Sequence, residues 1–292
     1  MPNDGSGNFG APQTVDNTLG FPYEIQVADL DHDNDVDIVS GAGDSTDVAW
    51  FENDGDGNFT TRHEISNSIY QVASIAPHDI DNDGLTDLVM CSGWEDEVCW
   101  FKNLGGGNFG PKLVIDSMSD GANDVKVADF DGDSLPDILS VATVDYKTGW
   151  YKNMGNGTFS SKNIITTSAN RPERLTVFDS DLDGDMDFAL AVGHYEFLWT
   201  YLNVGAGNFS FNGLVDVLPG GSGHIESGDL NDNGFEELVA CSYSEDKISW
   251  YHNLNAPTAT CDQPANIDVW PNYNTAYMEW DYSYDGIAMN SI

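Results

Sequence analysis

The chain has 292 residues, with 49 acidic against 10 basic side chains and a formal net charge of −39. That balance excludes nucleic acid and anionic membrane surfaces as partners, because both require a basic face. Hydrophobic residues at 40% and aromatics at 12% supply a packed core, so the acidity does not signal disorder.

No apolar run approaches the ~18 residues of a membrane span. The 30 glycines and eight tryptophans suit many short strands joined by tight turns, which predicts an all-β protein. No segment carries the capped apolar stripe of a helix.

In chain order, Met1-Pro2-Asn3-Asp4 lacks the basic, apolar opening of a secretory leader. A repeat of 50 residues then fills positions 4 to about 254. Its first element is a nine-residue acidic segment beginning at Asp29, Asp79, Asp129, Asp179 and Asp229. The second is an aromatic pair ahead of an asparagine: Trp50-Phe51-x-Asn53, Trp100-Phe101-x-Asn103, Trp150-Tyr151-x-Asn153 and Trp250-Tyr251-x-Asn253, with a looser Thr200-Tyr201-x-Asn203. A Gly-x-Gly turn and an aromatic follow at Phe59, Phe109, Phe159 and Phe209, and Gly5-x-Gly7-Asn8-Phe9 falls in phase.

Each repeat reads as four strands, A near 24–28, B near 37–41, C near 47–53 and D near 58–65 in the first. Several of these runs are apolar on both faces, as in sheets covered on both sides. Four strands per unit at this period predict a β-propeller rather than a β-solenoid with its shorter rungs. Residues 24–29, 74–79, 124–129, 174–179 and 224–229 are expected innermost. Met1 aligns with Phe51, in mid-repeat. Either residues 8–15 supply the last blade's fourth strand and close a ring of five, or earlier blades precede Met1.

The acidic segments are candidate metal loops. Carboxylates stand at loop positions 1, 3, 5 and 9, and two such charges ~5 Å apart repel by about 0.8 kcal/mol even at the dielectric of water. Such a cluster calls for a cation, and carboxylate oxygens on a flexible loop favour calcium over magnesium. Position 6 needs a residue tolerant of a left-handed backbone, which Gly84, Gly184, Gly234 and Asn34 supply and Ser134 suits less well. An EF-hand is excluded, because position 12 is Ser40, Met90, Ser140, Leu190 or Ala240 and not glutamate. The fifth loop, with Asp229, Asn231, Asn233 and Glu237, carries less charge and should bind more weakly.

These three elements, recurring in phase over residues 4–254, resemble FG-GAP/VCBS repeat proteins, related to integrin α-subunit propellers. The resemblance implies calcium held by side chains at positions 1, 3, 5 and 9 and by the carbonyl of position 7. On this chain those are Asp29, Asp31, Asp33, Asp35 and Asp37; Asp79, Asp81, Asp83, Leu85 and Asp87; Asp129, Asp131, Asp133, Leu135 and Asp137; Asp179, Asp181, Asp183, Asp185 and Asp187; and Asp229, Asn231, Asn233, Phe235 and Glu237. It also implies an extracellular setting, with the leader lost by truncation at the N-terminus. The implied role is a non-catalytic one, in adhesion or in binding a glycan or protein partner; the alternative is an accessory module of a larger secreted hydrolase. Pro77 lies inside a strand A, which puts the register of the second blade's inner strand in question.

The remaining features are read more plainly. Residues 256–292 leave the pattern and resemble the opening of a fibronectin type III domain, which sets domain limits at 1–255 and 256–292. Cys91 and Cys99 flank a B–C hairpin and could face each other; Cys241 repeats the phase of Cys91, and Cys261 lies in the tail. The Gly-x-Gly-x-x-Gly matches at Gly5 and Gly105 have no helix after them and are turns. Sequons at Asn58, Asn156 and Asn208 coincide with the same turns. Variable residues fall at the opposite end from the acidic loops: Trp94, Tyr146, His194, Tyr195 and Tyr243 in B–C loops, and Phe21, Tyr70, Asn123 and Arg171 in D–A loops.

Overall fold

A computed structural model describes residues 11–193, 197–217, 222–242 and 246–254, with two short strands at 283–284 and 287–288 that pair with each other. The chain divides into two units, Met1–Asn253 and Leu254–Ile292. The first is all β, as the period predicts.

Blade 1 is β1 (Pro22–Ala28), β2 (Asp37–Ala42), β3 (Val48–Asn53) and β4 (Phe59–Ser66). Blade 2 is β5 (Val72–His78), β6 (Asp87–Ser92), β7 (Glu97–Phe101) and β8 (Leu113–Asp116). Blade 3 is β9 (Ala122–Ala128), β10 (Asp137–Ala142), β11 (Lys147–Tyr151) and β12 (Asn163–Thr166). Blade 4 is β13 (Pro172–Phe178), β14 (Asp187–Val192), β15 (Phe197–Asn203) and β16 (Phe209–Val217). Blade 5 shows β17 (Ser222–Gly228), β18 (Glu237–Ser242) and β19 (Lys247–Tyr251), three strands among the described residues.

Each sheet is an antiparallel meander with the first strand at one edge. The expected inner segments are therefore β1, β5, β9, β13 and β17, and residues of all five line one central channel, Glu24, Ser74, Asp124, Arg174 and Glu226 among them. The ring is a five-bladed propeller. Residues 8–10 lie outside the described set, and residues 11–15 form no strand, so the closing strand expected over 8–15 is not seen.

The core lies between blades rather than within them. One cluster joins Trp50 and Val48 of blade 1 to Ile75, Met90 and Phe101 of blade 2, and comparable clusters join blades 2 to 3, 3 to 4 and 4 to 5. Both faces of each middle strand are consumed, which explains the unbroken apolar runs.

Pro77 keeps its place opposite Leu88, with the register intact around it. It sits on the channel edge, where a proline costs no ladder bond. The cysteine expectation needs correcting. Cys91 pairs with Val98 and Cys99 with Met90, one step out of register. The two thiols point to opposite faces, Cys99 into the blade 1–2 core and Cys91 into the blade 2–3 core, and both are free. The fibronectin-like segment, with Cys261, lies outside the described residues apart from those two short strands.

Candidate metal centre

Each A–B loop is wound by its own aspartates. In loop 1, Asp29 accepts backbone bonds from His32, Asp33 and Asn34, and Asp33 accepts one from Asp35. The same position 5 to position 7 bond recurs from Leu85, Leu135, Asp185 and Phe235. All five position 6 residues take positive φ, including Asn34 at 75° and Ser134 at 69°. Serine fills the glycine position without altering the loop.

Position 9 is a structural post. Asp37, Asp87, Asp137 and Asp187 are fully buried. One oxygen of each accepts the position 2 amide, from Leu30 at 2.9 Å, Ile80 at 3.1 Å, Phe130 at 3.1 Å and Ser180 at 3.0 Å. The other accepts the amide of the strand C asparagine, from Asn53, Asn103, Asn153 and Asn203 at 2.6–2.9 Å. Glu237 caps Leu230 in the same way. Burial pushes the Asp87 carboxyl up to about 6 and that of Asp137 up to about 7, against the bonds they accept.

Four groups bring three carboxylate oxygens within 4.8 Å of one another: Asp29, Asp31 and Asp33; Asp79, Asp81 and Asp87; Asp129, Asp131 and Asp137; Asp179, Asp181 and Asp187. Asp83, Asp133 and Asp183 lie beside these groups at position 5. Leu85, Leu135 and Phe235 can offer only backbone oxygen. In loop 5, Glu237 instead accepts from Asn231 and faces His252 at 3.3 Å.

The decisive atoms are Asp81 Oδ1, Asp131 Oδ1 and Asp179 Oδ1, which are buried without a hydrogen-bond partner. A buried carboxylate oxygen without a donor is costly. The donor set is all oxygen, so these groups fit a hard divalent cation.

The residue between the aromatic pair and the asparagine of strand C was not singled out from the sequence. It is Glu52, Lys102, Lys152, Leu202 and His252 in turn. Lys102 donates to Asp81 and to Asp83, 2.9 Å in the latter pair. Lys152 does the same to Asp131 and to Asp133, 2.8 Å in the latter. These bonds hold the Asp83 and Asp133 carboxyls below their usual range. Loops 2 and 3 therefore carry a protein-borne cation at their rim, whereas loop 1 adds Glu52 and loop 4 a neutral leucine. The signal was available as the variable x of the W-[FY]-x-N element, but its direction toward the loop is a matter of strand pleat.

The glycine turns are explained by local chemistry. Asn58, Asn108 and Asn208 spend their side-chain amides on the turn itself. At the opposite end, Trp94 is exposed and tilts against Tyr70 at 5.6 Å. Glu95 accepts the Tyr70 amide, and Lys112 bridges Glu95 and Glu97 beneath them. Phe21 and Tyr146 are exposed, and Arg171 pairs loosely with Glu173. Asn123 instead spends its amide on the Glu173 carbonyl. His194, Tyr195 and Tyr243 lie outside the described residues.

Residues 29–90 and 79–140 match a model of the FG-GAP-like repeat. Among solved structures, an Agrocybe aegerita lectin studied for recognition of non-reducing terminal N-acetylglucosamine is similar, at TM-score 0.55 and 21% identity. The alignment covers 76% of this chain and 61% of the lectin. Virginiamycin B lyase from Staphylococcus aureus aligns at TM-score 0.52 and 12% identity, over 80% of this chain and 71% of the lyase. At these identities the likeness is one of fold. No curated protein matches the sequence at a significant level.

Proposed function

We propose that this five-bladed propeller of FG-GAP-like repeats is a calcium-dependent, extracellular, non-catalytic binding module whose ligand is a glycan. The unpartnered buried oxygens of Asp81 and Asp131, both at position 3, and of Asp179 at position 1 carry the calcium part, since a cation at each loop would satisfy them. Extracellular calcium is plentiful enough to fill sites with Kd of ~10⁻⁴–10⁻³ M. Five ions would change the net charge from −39 to −39 + 10 = −29.

The glycan part rests on the Trp94–Tyr70 pair, an exposed aromatic platform with Glu95 and Lys112 beside it. Such surfaces stack on the apolar face of a sugar ring while the polar rim bonds its hydroxyls. The shared fold with the Agrocybe aegerita lectin is consistent with this reading.

The test has two arms. Calorimetry should register calcium binding, and chelation should lower the melting temperature; a melting temperature indifferent to chelator refutes the metal reading. A glycan array probed with wild type and Trp94→Ala should lose signal in the variant; equal signal, or none in either, refutes the platform.

A further inference from the structure

The outer strands of blades 2 and 3 border a cavity of about 510 Å³ that shares no residue with the acidic loops or with the Trp94 platform. Asp116 of β8 and the turn after it, with Met118 and Ser119, form one wall. Lys147 and Tyr151 of β11 form the other, and Lys162, just ahead of β12, completes the lining. The size suits a small-molecule ligand.

The repeat supplies an internal comparison. Lys112 and Lys162 are 50 residues apart, as are Glu95 and Asp145, and Glu97 and Lys147. In blade 2, Lys112 donates to Glu97 at 2.7 Å, to Glu95 at 3.3 Å and to the Ser68 carbonyl at 3.1 Å. In blade 3 a lysine stands where the nearer glutamate would be, and Lys147 takes Asp145 for itself at 2.6 Å. Lys162 is left with no carboxylate within 4 Å among the described residues. Its nitrogen donates to the Ser119 hydroxyl at 3.2 Å and stands 5.5 Å from the centre of the Tyr151 ring. The Tyr151 hydroxyl donates to Asp116 at 2.6 Å, and Asp116 also accepts the Met118 amide, so that carboxylate is held by neighbours other than the lysine.

Burial opposes the charge on both ammoniums, but the balance differs between the blades. At Lys112 the bonds to Glu97 and Glu95 outweigh burial and hold the group above the usual lysine range. At Lys162 burial outweighs the pull of Asp116 and Asp145, Lys147 adds repulsion, and the group comes down to about 8. A weaker pull comes from the Cys91 thiol of β6.

We propose that Lys162 is a nucleophilic amine that captures small aldehydes in this cavity as a covalent imine. The unprotonated nitrogen attacks the carbonyl carbon to give a carbinolamine, whose hydroxyl then leaves as water. Amine and aldehyde become imine and water, a C=N bond replaces the C=O bond, and nothing is oxidised or reduced. The Ser119 hydroxyl holds the amine at the cavity wall, and the Tyr151 ring accommodates the cationic, protonated imine over its face. Lys112, tied to two glutamates, stays protonated and does not share the role.

Reductive alkylation of the full chain in calcium tests this. Glycolaldehyde is the probe, cyanoborohydride traps the imine as a secondary amine, and peptide mass spectrometry reads each of the seven lysines from pH 6 to 10. At pH 7.4 the neutral fraction of Lys162 is roughly two hundred times that of an ordinary lysine; after allowance for its lower basicity, labelling should run about tenfold faster. Its rate should level off above a midpoint near pH 8, while Lys112 is still rising at pH 10. Lys147→Glu restores the carboxylate that Lys112 has in blade 2, so Lys162 should slow to the Lys112 rate and lose its midpoint. Circular dichroism melts confirm that the variant folds. Lys162 labelled no faster than the other lysines, or a rate and midpoint that Lys147→Glu leaves unchanged, overturns the proposal.

Discussion

Replacing Lys102 and Lys152 by glutamine separates the two ways in which the acidic loops can be neutralised. Each ammonium lies within hydrogen-bond reach of two carboxylates that border the metal position. An ion bound to those carboxylates would stand roughly 4 Å from the ammonium, where a +1 and a +2 charge repel by ~2 kcal/mol at the dielectric of water. That is about thirtyfold in affinity. A third of each lysine side chain is exposed, so swinging outward should reduce the gain to about tenfold.

In the calcium-free protein the same change removes the one counter-charge these loops show among the described residues, costing up to ~1 kcal/mol per pair, or about 2–4 °C for a domain of this size. The double variant should therefore melt lower than wild type in chelator. In calcium, calorimetry should show two sites moving from the weak class to the tight one. Opposite signs in the two conditions are the diagnostic. Melting temperatures shifting the same way in both, with unchanged titration curves, would refute the placement of lysine and ion at one locus.

Two further outcomes follow from buried groups. Asn153→Ala strips donors from the Ile80 and Pro136 carbonyls and the acceptor from Gly155; at about 1 kcal/mol per bond, and more for groups left orphaned, it should cost ~3–5 kcal/mol in denaturant unfolding. Asn53→Ala, where the amide donates to Val36 of its own blade and no inter-blade bond is seen among the described residues, should cost visibly less, and equal losses would contradict the inter-blade role.

The raised carboxyls give a pH dependence. Asp87 at about 6 and Asp137 at about 7 bind protons in the folded state that the unfolded chain, near 3.8, has lost. The folded form thus holds more protons between pH 4 and 7, and calcium-free stability falls as pH rises through that window, by on the order of 3–4 kcal/mol per group at most. Melting curves in chelator should run higher at pH 5 than at pH 7.5, and a reversed order would show that these groups are not buried as described.

Much of this molecule is legible in the sequence because the repeat reports each element several times. The Asp29 loop read alone is a turn rich in aspartate; five copies in phase make it a scaffold. Strand A, the Asp loop and the Gly turn are local features, and they appear where expected. What failed was relational. Whether Cys91 meets Cys99 depends on a one-residue register that loop spacing does not determine. The lysines at 102 and 152 look like surface residues until the pleat turns them onto the neighbouring loop. The exposure of Ile25, Ile248 and Trp250 was equally hidden, because all three are typical core residues by type.

Positions 3 and 9 of an acidic loop look interchangeable in the sequence, yet their chemistry differs, and the difference can be measured. Asp87 holds the Ile80 amide with one oxygen and the Asn103 amide with the other. Asn103 in turn reaches back to the Leu30 carbonyl of blade 1, so Asp87 ties one loop to its own strand and, through it, to the loop before. Asp81 makes no such ties; its Oδ1 is buried and unpartnered, and its other oxygen meets Lys102. Asp81→Ala should weaken calcium binding at loop 2 while leaving calcium-free stability within about 1 kcal/mol, since it removes a desolvated charge along with an ion pair.

Asp87→Ala should lose calcium binding and stability together, because two buried amides are orphaned at about 1–3 kcal/mol each. Hydrogen exchange gives the local readout: the Ile80 and Asn103 amides should lose protection in Asp87→Ala and keep it in Asp81→Ala. If both variants melt alike without calcium and exchange alike at those amides, position 9 is an ordinary ligand and the link from loop to blade stacking is absent.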